Sequence, residues 1–132
     1  KPTLPELCHW RVASSMPTRN QNKHTFGEYW AEHYDELIDH PVLLGEFDIL
    51  PFSVADVDFE LILAGGHQAD VQRITKDLTK ICLHHIEFFA DKPPVKCYQF
   101  ITLLTDNAFG GLEHISSTAL MYSRNDLPSL SN

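Results

Sequence analysis

The segment Phe109-Gly-Gly-Leu-Glu-His114 contains residue types that could hold the end of a peptide. Two glycines at the start of a strand cost backbone entropy, so they are usually found where a turn needs a positive φ or where another backbone comes close. An exposed strand edge can accept a peptide as an extra strand, and a carboxylate at the end of that groove would pair with the peptide's ammonium group. The segment therefore predicts a binding site for a free amino terminus at Glu113. The alternative is an ordinary Gly-Gly turn with Glu113 facing water.

Residues that could cut a peptide bond with a metal are missing. A metallopeptidase helix needs two His at i and i+4, with Glu directly after the first as general base, and no His in this sequence is followed by Glu. His84 and His85 are adjacent, so on a helix their side chains diverge by about 100°; we expect His84 to be solvated and His85 half buried. His33 and His40 bracket several acids, but such connectors usually stay hydrated. We predict no catalytic residue and no metal ligand in this chain.

Other functional classes find little support in the composition. The chain has 132 residues with 18 acidic and 10 basic side chains, a formal net charge of -8, and no Lys/Arg cluster, so nucleic acid is not expected as a partner. No apolar run approaches the roughly 20 residues of a membrane helix, and no membrane partner is expected. The sequence also contains no GxSxG, P-loop or GxGxxG motif.

The three cysteines, Cys8, Cys82 and Cys97, are widely spaced and never form a CxxC pair. This pattern argues against a disulfide framework and a thiolate zinc site, and we expect reduced thiols with Cys82 buried on a helix. The sequence begins at Lys1 without a recognisable leader. We therefore expect a piece of a longer polypeptide, with a cytoplasmic location.

The elements that must position these residues follow from the hydrophobic pattern. The segments 46–50 and 58–63 predict an antiparallel strand pair separated by Pro51 to Val57. Residues 69–90 have apolar positions three and four apart and predict the longest helix, capped by Asp70 and ended before Pro93. The segments 98–104 and 112–123 predict a central strand and one further strand. Trp10 to Ala13 predicts a short strand, and a short helix near His33 should stop at Pro41.

These elements give an α+β fold, a small mixed β-sheet with one long helix packed on one face. The helix crosses between the second and third strands, so these two should be parallel if they share a sheet.

The motif Phe109–His114, with Ser117-Thr-Ala-Leu120 and Ser123-Arg124 after it, resembles the signature of the glycyl aminopeptidase family. These are PDZ-containing zinc metallopeptidases of the gluzincin clan. Further similar segments occur in the same order along nearly the whole chain: Trp10-Arg-Val-Ala13, Tyr34-Asp-Glu-Leu37, Pro41-Val42, Gly45-Glu-Phe47, Ala64-Gly-Gly-His67, Ala69-Asp70, Asp77-Leu78, Lys80-Ile-Cys82 and Pro93-Pro94. The region is also similar, more distantly, to the aminopeptidase N family, which has Gly-Ala-Met-Glu-Asn on the equivalent edge strand.

The resemblance implies that Gly110, Gly111 and Leu112 line the substrate backbone and that Glu113 receives the free α-amino group. His114 would orient the strand or a neighbour. Ile115 and Ser116 depart from the family pattern, which usually has Arg and Asn there. In the family the zinc-binding HExxH helix follows this strand, so zinc would belong to the parent protein and would not be bound by this chain.

The resemblance also implies a division of the chain. Residues 1–40 would end a preceding β domain and connector, and residues 41–132 would form the incomplete N-terminal lobe of a thermolysin-like catalytic domain. We expect the parent protein to be a zinc aminopeptidase that acts on peptides with a free N-terminus and removes small N-terminal residues such as Gly. We expect this chain alone to be inactive. The alternative is a non-catalytic peptide-binding or scaffolding module. An apolar face left uncovered on the isolated chain would favour self-association.

Overall fold

The computed structural model describes residues 9–130 and has the predicted α+β architecture. A five-stranded mixed sheet has the strand order β5 (Phe47–Val54), β6 (Val57–Ala64), β7 (Cys97–Thr105), β9 (Ser117–Ser123), β8 (Gly110–Glu113). Two short two-stranded ladders lie beside it. One long helix, α2 (Val71–Phe89), packs on one face of the large sheet. No helix in the described part of the chain is long and apolar enough to cross a membrane.

The first two strands of the large sheet form an antiparallel hairpin, as the sequence predicted. Strand β5 spans Phe47–Val54 and β6 spans Val57–Ala64. Ala55 and Asp56, both with positive φ, make the turn between them, the conformation that a tight two-residue hairpin requires. The interpretation of Pro51 as part of the connection was wrong, since Pro51 lies within β5 opposite Glu60. Because β5 is an edge strand, its missing N–H costs no ladder hydrogen bond.

Helix α2 spans Val71–Phe89, close to the predicted limits. The Asp70 side chain accepts a hydrogen bond from the backbone N–H of Arg73 at 3.0 Å, which satisfies one of the free donors of the first turn. The helix ends at Ala90, whose φ of 51° is left-handed. Cys82 is buried as expected, but His85 is exposed rather than half buried. Phe88 and Phe89 are exposed as well, whereas Ile86 between them and Cys82 packs against the core.

The helix connects two parallel strands, which confirms the predicted crossover. Strand β7 spans Cys97–Thr105 and pairs in parallel with β6 on one side and β9 on the other. It is the central strand of the five. Its two faces are not both covered, since Leu103 retains 46% of its exposed area.

The region after β7 forms two strands instead of the single strand predicted over 112–123. Strand β8 spans Gly110–Glu113 and β9 spans Ser117–Ser123. They pair antiparallel, with Glu113 opposite Thr118, and His114 N–H donates to the Ser117 carbonyl at 2.8 Å to close the hairpin. The turn was not predicted, because residues 114–116 contain no Gly or Pro.

Residues 9–46, the described part of the chain before the large sheet, contain four short strands and one short helix. Strand β1 (Arg11–Ala13) pairs with β4 (Leu43–Gly45), and β2 (Thr18–Arg19) pairs with β3 (Glu28–Tyr29). Helix α1 (Tyr34–Ile38) lies where the short helix was predicted, with His33 as its N-cap. The β1 prediction is confirmed, whereas β2, β3 and β4 were not expected. Cys8 and the other predictions for residues 1–8 lie outside the described residues.

The two faces of the sheet have different cores. The face that carries Phe59, Leu61 and Leu63 packs against α2. On the other face, Ala13 of β1 packs with Phe47, Ile62 and other buried residues. The N-terminal segment therefore covers the face that α2 leaves open, at least around β5 and β6.

Candidate functional site

Strand β8 lies at the edge of the large sheet and contains four of the five predicted substrate-binding residues, Gly110–Glu113, while the fifth, His114, lies in the turn after it. Its only strand partner in the described part of the chain is β9. Gly111, Leu112 and Glu113 are exposed and Gly110 is partly exposed. The outer side of β8 is therefore open to an added strand.

The alternation of hydrogen-bonded and non-hydrogen-bonded pairs along the β8–β9 hairpin shows which backbone groups point outward. His114 N–H donates inward to Ser117, and inward-pointing and outward-pointing residues alternate along an antiparallel strand. Leu112 and Gly110 therefore also direct their N–H and C=O groups to β9. Gly111 and Glu113 direct theirs to the open edge, so the outer edge of β8 offers two pairs of donors and acceptors.

The double glycine does not serve an unusual backbone conformation. Neither Gly110 nor Gly111 has a positive φ. A Cβ at Gly111 would lie 2.9 Å from Cδ2 of Leu120, whereas a Cβ at Gly110 would meet its nearest neighbour, Cε of Met121, at 3.9 Å. A positive φ is therefore not the reason for either glycine, and a Cβ at Gly111 would meet its nearest backbone atom, the Ala119 carbonyl oxygen, only at 3.8 Å.

The Glu113 side chain lies on the same face of the sheet as α2. Glu113 is opposite Thr118, Thr118 is opposite Phe100, and Phe100 packs in the core that α2 covers. The charge of Glu113 adds to the effect of burial in raising the pKa of Tyr98. Within residues 9–130 no side chain hydrogen-bonds to the Glu113 carboxylate, so its oxygens remain free to accept from a ligand.

The turn that follows Glu113 is held by Asp39. The carboxylate of Asp39 accepts from Nδ1 of His114 at 3.2 Å and from the backbone N–H of Ile115 at 3.1 Å. The Ile115 bond is the main cause that lowers the pKa of Asp39, and His114 adds to it. A hydroxyl pair between Ser15 and Ser116, 2.8 Å apart, fixes the other end of the turn.

A cavity of about 850 Å³ adjoins this turn and includes Glu113 in its wall. Helix α1 and the residues before it form the opposite wall. Five carboxylate residues and no Lys or Arg line the cavity: Glu32, Asp35, Glu36, Asp39 and Glu113. The electrostatic field in the cavity favours a cation over an anion.

The described residues do not fit a zinc site. No group of three or more His, Cys, Asp or Glu side chains among residues 9–130 is arranged to hold a metal ion. His33 and His40 instead support α1, since His33 Nδ1 accepts from the N–H of Glu36 and His40 Nδ1 donates to the Glu36 carbonyl.

Sequence reasoning identified the strand but missed two residues that hold its turn, Asp39 and Ser15. They are 75 and 101 positions away from their partners in the turn. The only signal for Asp39 was its place in an acidic connector, a feature that more often indicates a solvated surface.

Comparisons with known proteins agree with this geometry. Residues 2–46 match the Peptidase M61 N-terminal domain. A crystal structure of an aminopeptidase N family protein from Idiomarina loihiensis matches with a TM-score of 0.92 and 44% identity over 97% of this chain. The chain spans 22% of the length of that protein. No curated protein sequence matches.

The fold and these two matches support assignment to a peptidase family.

Proposed function

We propose that the chain is the substrate-positioning part of a zinc-dependent glycyl aminopeptidase that removes small N-terminal residues from peptides. The observation that carries the proposal is the position of Gly110–Glu113 as an open edge strand, in a chain 44% identical to an aminopeptidase N family protein. The zinc and the general base belong to other parts of the parent protein, together with the PDZ domain that the resemblance implies.

In this proposal a substrate peptide adds to the edge of β8. Its backbone pairs with the outward N–H and C=O groups of Gly111 and Glu113, and the absence of a side chain at Gly111 lets the peptide come close. The α-amino group donates to the carboxylate of Glu113, which no side chain within residues 9–130 already occupies. A positively charged terminus is further favoured by the acidic cavity beside it.

The role of this chain is then binding and orientation. Glu113 reads the end of the peptide and sets its register along β8, so that the first amide is presented to the reaction centre at a fixed distance. A peptide with residues in front of that register would place a neutral amide instead of an ammonium group at Glu113, which makes the site selective for termini. Zinc, when bound by the parent protein, supplies activation of the attacking water.

The test is steady-state kinetics of the full-length protein with a Gly-arylamide. Replacement of Glu113 with Ala should raise KM and lower kcat/KM by about 10- to 100-fold, the loss expected for one charge-assisted hydrogen bond. Glu87→Ala, which removes an exposed carboxylate on α2, is the matched control and should behave as the wild type. The wild type should also reject the N-acetylated substrate, and the Glu113→Ala variant should discriminate less.

An unchanged KM and kcat/KM in Glu113→Ala would show that Glu113 does not bind the substrate amino group. A full-length protein that binds Gly-starting peptides but never hydrolyses them would instead favour the non-catalytic peptide-binding module.

A further inference from the structure

We infer that Asp39 is a positioning residue of this site: its carboxylate fixes the β8–β9 turn and thereby the place of Glu113. This inference deepens the proposed function and rests on it. Asp39 lies in the segment that matches the Peptidase M61 N-terminal domain, so the inference assigns that segment a part in substrate recognition.

The geometry places both oxygens of Asp39 on the turn. One oxygen accepts from Nδ1 of His114 at 3.2 Å and the other from the N–H of Ile115 at 3.1 Å. These are the first two residues after Glu113, and the N–H of Ile115 is a backbone group that the hairpin itself does not use. Loss of the carboxylate therefore frees the main chain one peptide unit away from the substrate-binding residue.

Without Asp39 the turn has few restraints. Strand β8 has four residues and one neighbour, and Leu112, Glu113 and Ile115 are all exposed. No packed core therefore fixes the direction of the Glu113 side chain. Besides the backbone bonds from His114 N–H to Ser117 and from Gln99 N–H to Ser116, the turn would keep one side-chain tether, the hydroxyl pair of Ser15 with Ser116. Asp39 supplies two hydrogen bonds and the only charge among these tethers.

Asp39 itself is well fixed. It is the C-cap of α1, and its own N–H donates to the Glu36 carbonyl at 3.3 Å. A substitution of its side chain leaves that backbone bond in place. The effect of the substitution on the turn can therefore be separated from unfolding of α1.

The experiment compares Asp39→Ala, Asp39→Asn and Asp35→Ala in the full-length protein with a Gly-arylamide. Asp39→Ala should raise KM about 10-fold with kcat changed less than about 2-fold, because binding is lost equally in the ground state and the transition state. Asp39→Asn keeps an acceptor for Ile115 but not the charge that faces His114, so its KM should be intermediate. Asp35→Ala removes a carboxylate from the same cavity without a bond to the turn, and its KM should rise clearly less.

Hydrogen exchange supplies a second readout. Amide exchange of the peptide that contains Ile115 should be faster in Asp39→Ala and unchanged in Asp35→Ala. If Asp39→Ala proves too unstable to measure, Asp39→Asn takes its place in both the kinetic and the hydrogen-exchange comparison with Asp35→Ala.

The outcomes are distinct. A wild type that hydrolyses the arylamide, with an Asp39→Ala variant of normal KM, overturns the inference and leaves the proposed function intact. Equal effects of Asp39→Ala and Asp35→Ala also overturn it, because the cause would then be cavity charge. A wild type without activity on any unblocked aminoacyl-arylamide defeats the proposed function, and the inference with it.

Discussion

Nε2 of His24 lies 2.7 Å from a carboxylate oxygen of Glu60, and both side chains are almost buried, at 13% and 12% exposure. The other ring nitrogen, Nδ1, faces the Val12 carbonyl at 2.9 Å. Both ring nitrogens thus meet acceptors, an arrangement that only the protonated imidazolium satisfies. The pair ties the N-terminal segment to strand β6 of the large sheet.

We predict a stability optimum between pH 4.5 and 6.5, because the pair shifts the pKa of each partner. The hydrogen bond from His24 lowers the pKa of Glu60 from 4.5 to about 2, so this stabilisation is complete above pH 4.5 and is lost as the pH falls toward about 2. The bond to Glu60 raises the pKa of His24 above 6.5, so its share is complete below pH 6.5 and is lost as the pH rises through the raised value. Urea unfolding at a series of pH values measures both limbs.

Glu60→Gln and Asp48→Asn provide the matched comparison for this pH dependence. Glu60→Gln leaves His24 and Lys23 without their anion and should cost about 3–5 kcal/mol of unfolding free energy at pH 6 while flattening both limbs. Asp48 also pairs with a histidine, His67, at 2.8 Å, but Asp48 is 63% exposed. Asp48→Asn should therefore cost at most about 1 kcal/mol. Similar losses in the two variants would contradict the assignment of the pH dependence to Glu60 and His24.

The double glycine before α2 gives a second prediction, since its two members have different constraints. Gly65 has a φ of +109°, and a Cβ there would lie 2.9 Å from the carbonyl oxygen of Leu104. Gly65→Ala should cost about 2–3 kcal/mol through backbone strain and this contact. A Cβ at Gly66 would meet only Nη1 of Arg124, at 3.7 Å, so Gly66→Ala should stay within about 0.5 kcal/mol of the wild type. Equal costs, measured by urea unfolding, would show that the loop adjusts to a side chain at either position.

An apolar patch on the sheet face opposite α2 gives a third prediction. Leu103 and Met121 are directly opposite each other on β7 and β9, and they are 46% and 44% exposed. Leu112 and Val42 extend the exposed apolar surface beside them. Because contiguous apolar surface of this kind drives association, the 132-residue chain should self-associate with rising concentration in sedimentation velocity.

Leu103→Lys should weaken that self-association several-fold, since it places a charge within the patch. The control is Phe88→Lys, which changes an equally apolar but more exposed residue, 82% accessible, on α2. If Phe88→Lys is the variant that disperses the chain, the contact is made through the helix end and not through the sheet.

Local patterns were sufficient to predict most of the elements. The spacing of Val71, Ile74 and Leu78 with the cap at Asp70 defines α2, because both the amphipathic period and the capping bond depend on neighbours within one or two turns. The parallel pairing of β6 and β7 followed from the helix between them. The split of 112–123 into two strands was missed, because residues 114–116 contain no Gly or Pro and the side chains that hold the turn, Ser15 and Asp39, are distant in the sequence.

The sequence by itself determined the α+β class, the long helix and the motif Gly110–His114, since each depends on short-range spacing or on a contiguous run of residues. The tertiary structure alone decided that β8 is the edge strand and that the backbone N–H and C=O groups of Gly111 and Glu113 point to the open edge. It also decided which distant residues come into contact. Asp39 reaches the turn across 75 positions and His24 reaches Glu60 across 36. Such contacts depend on how the segments pack in three dimensions, and no local pattern encodes them.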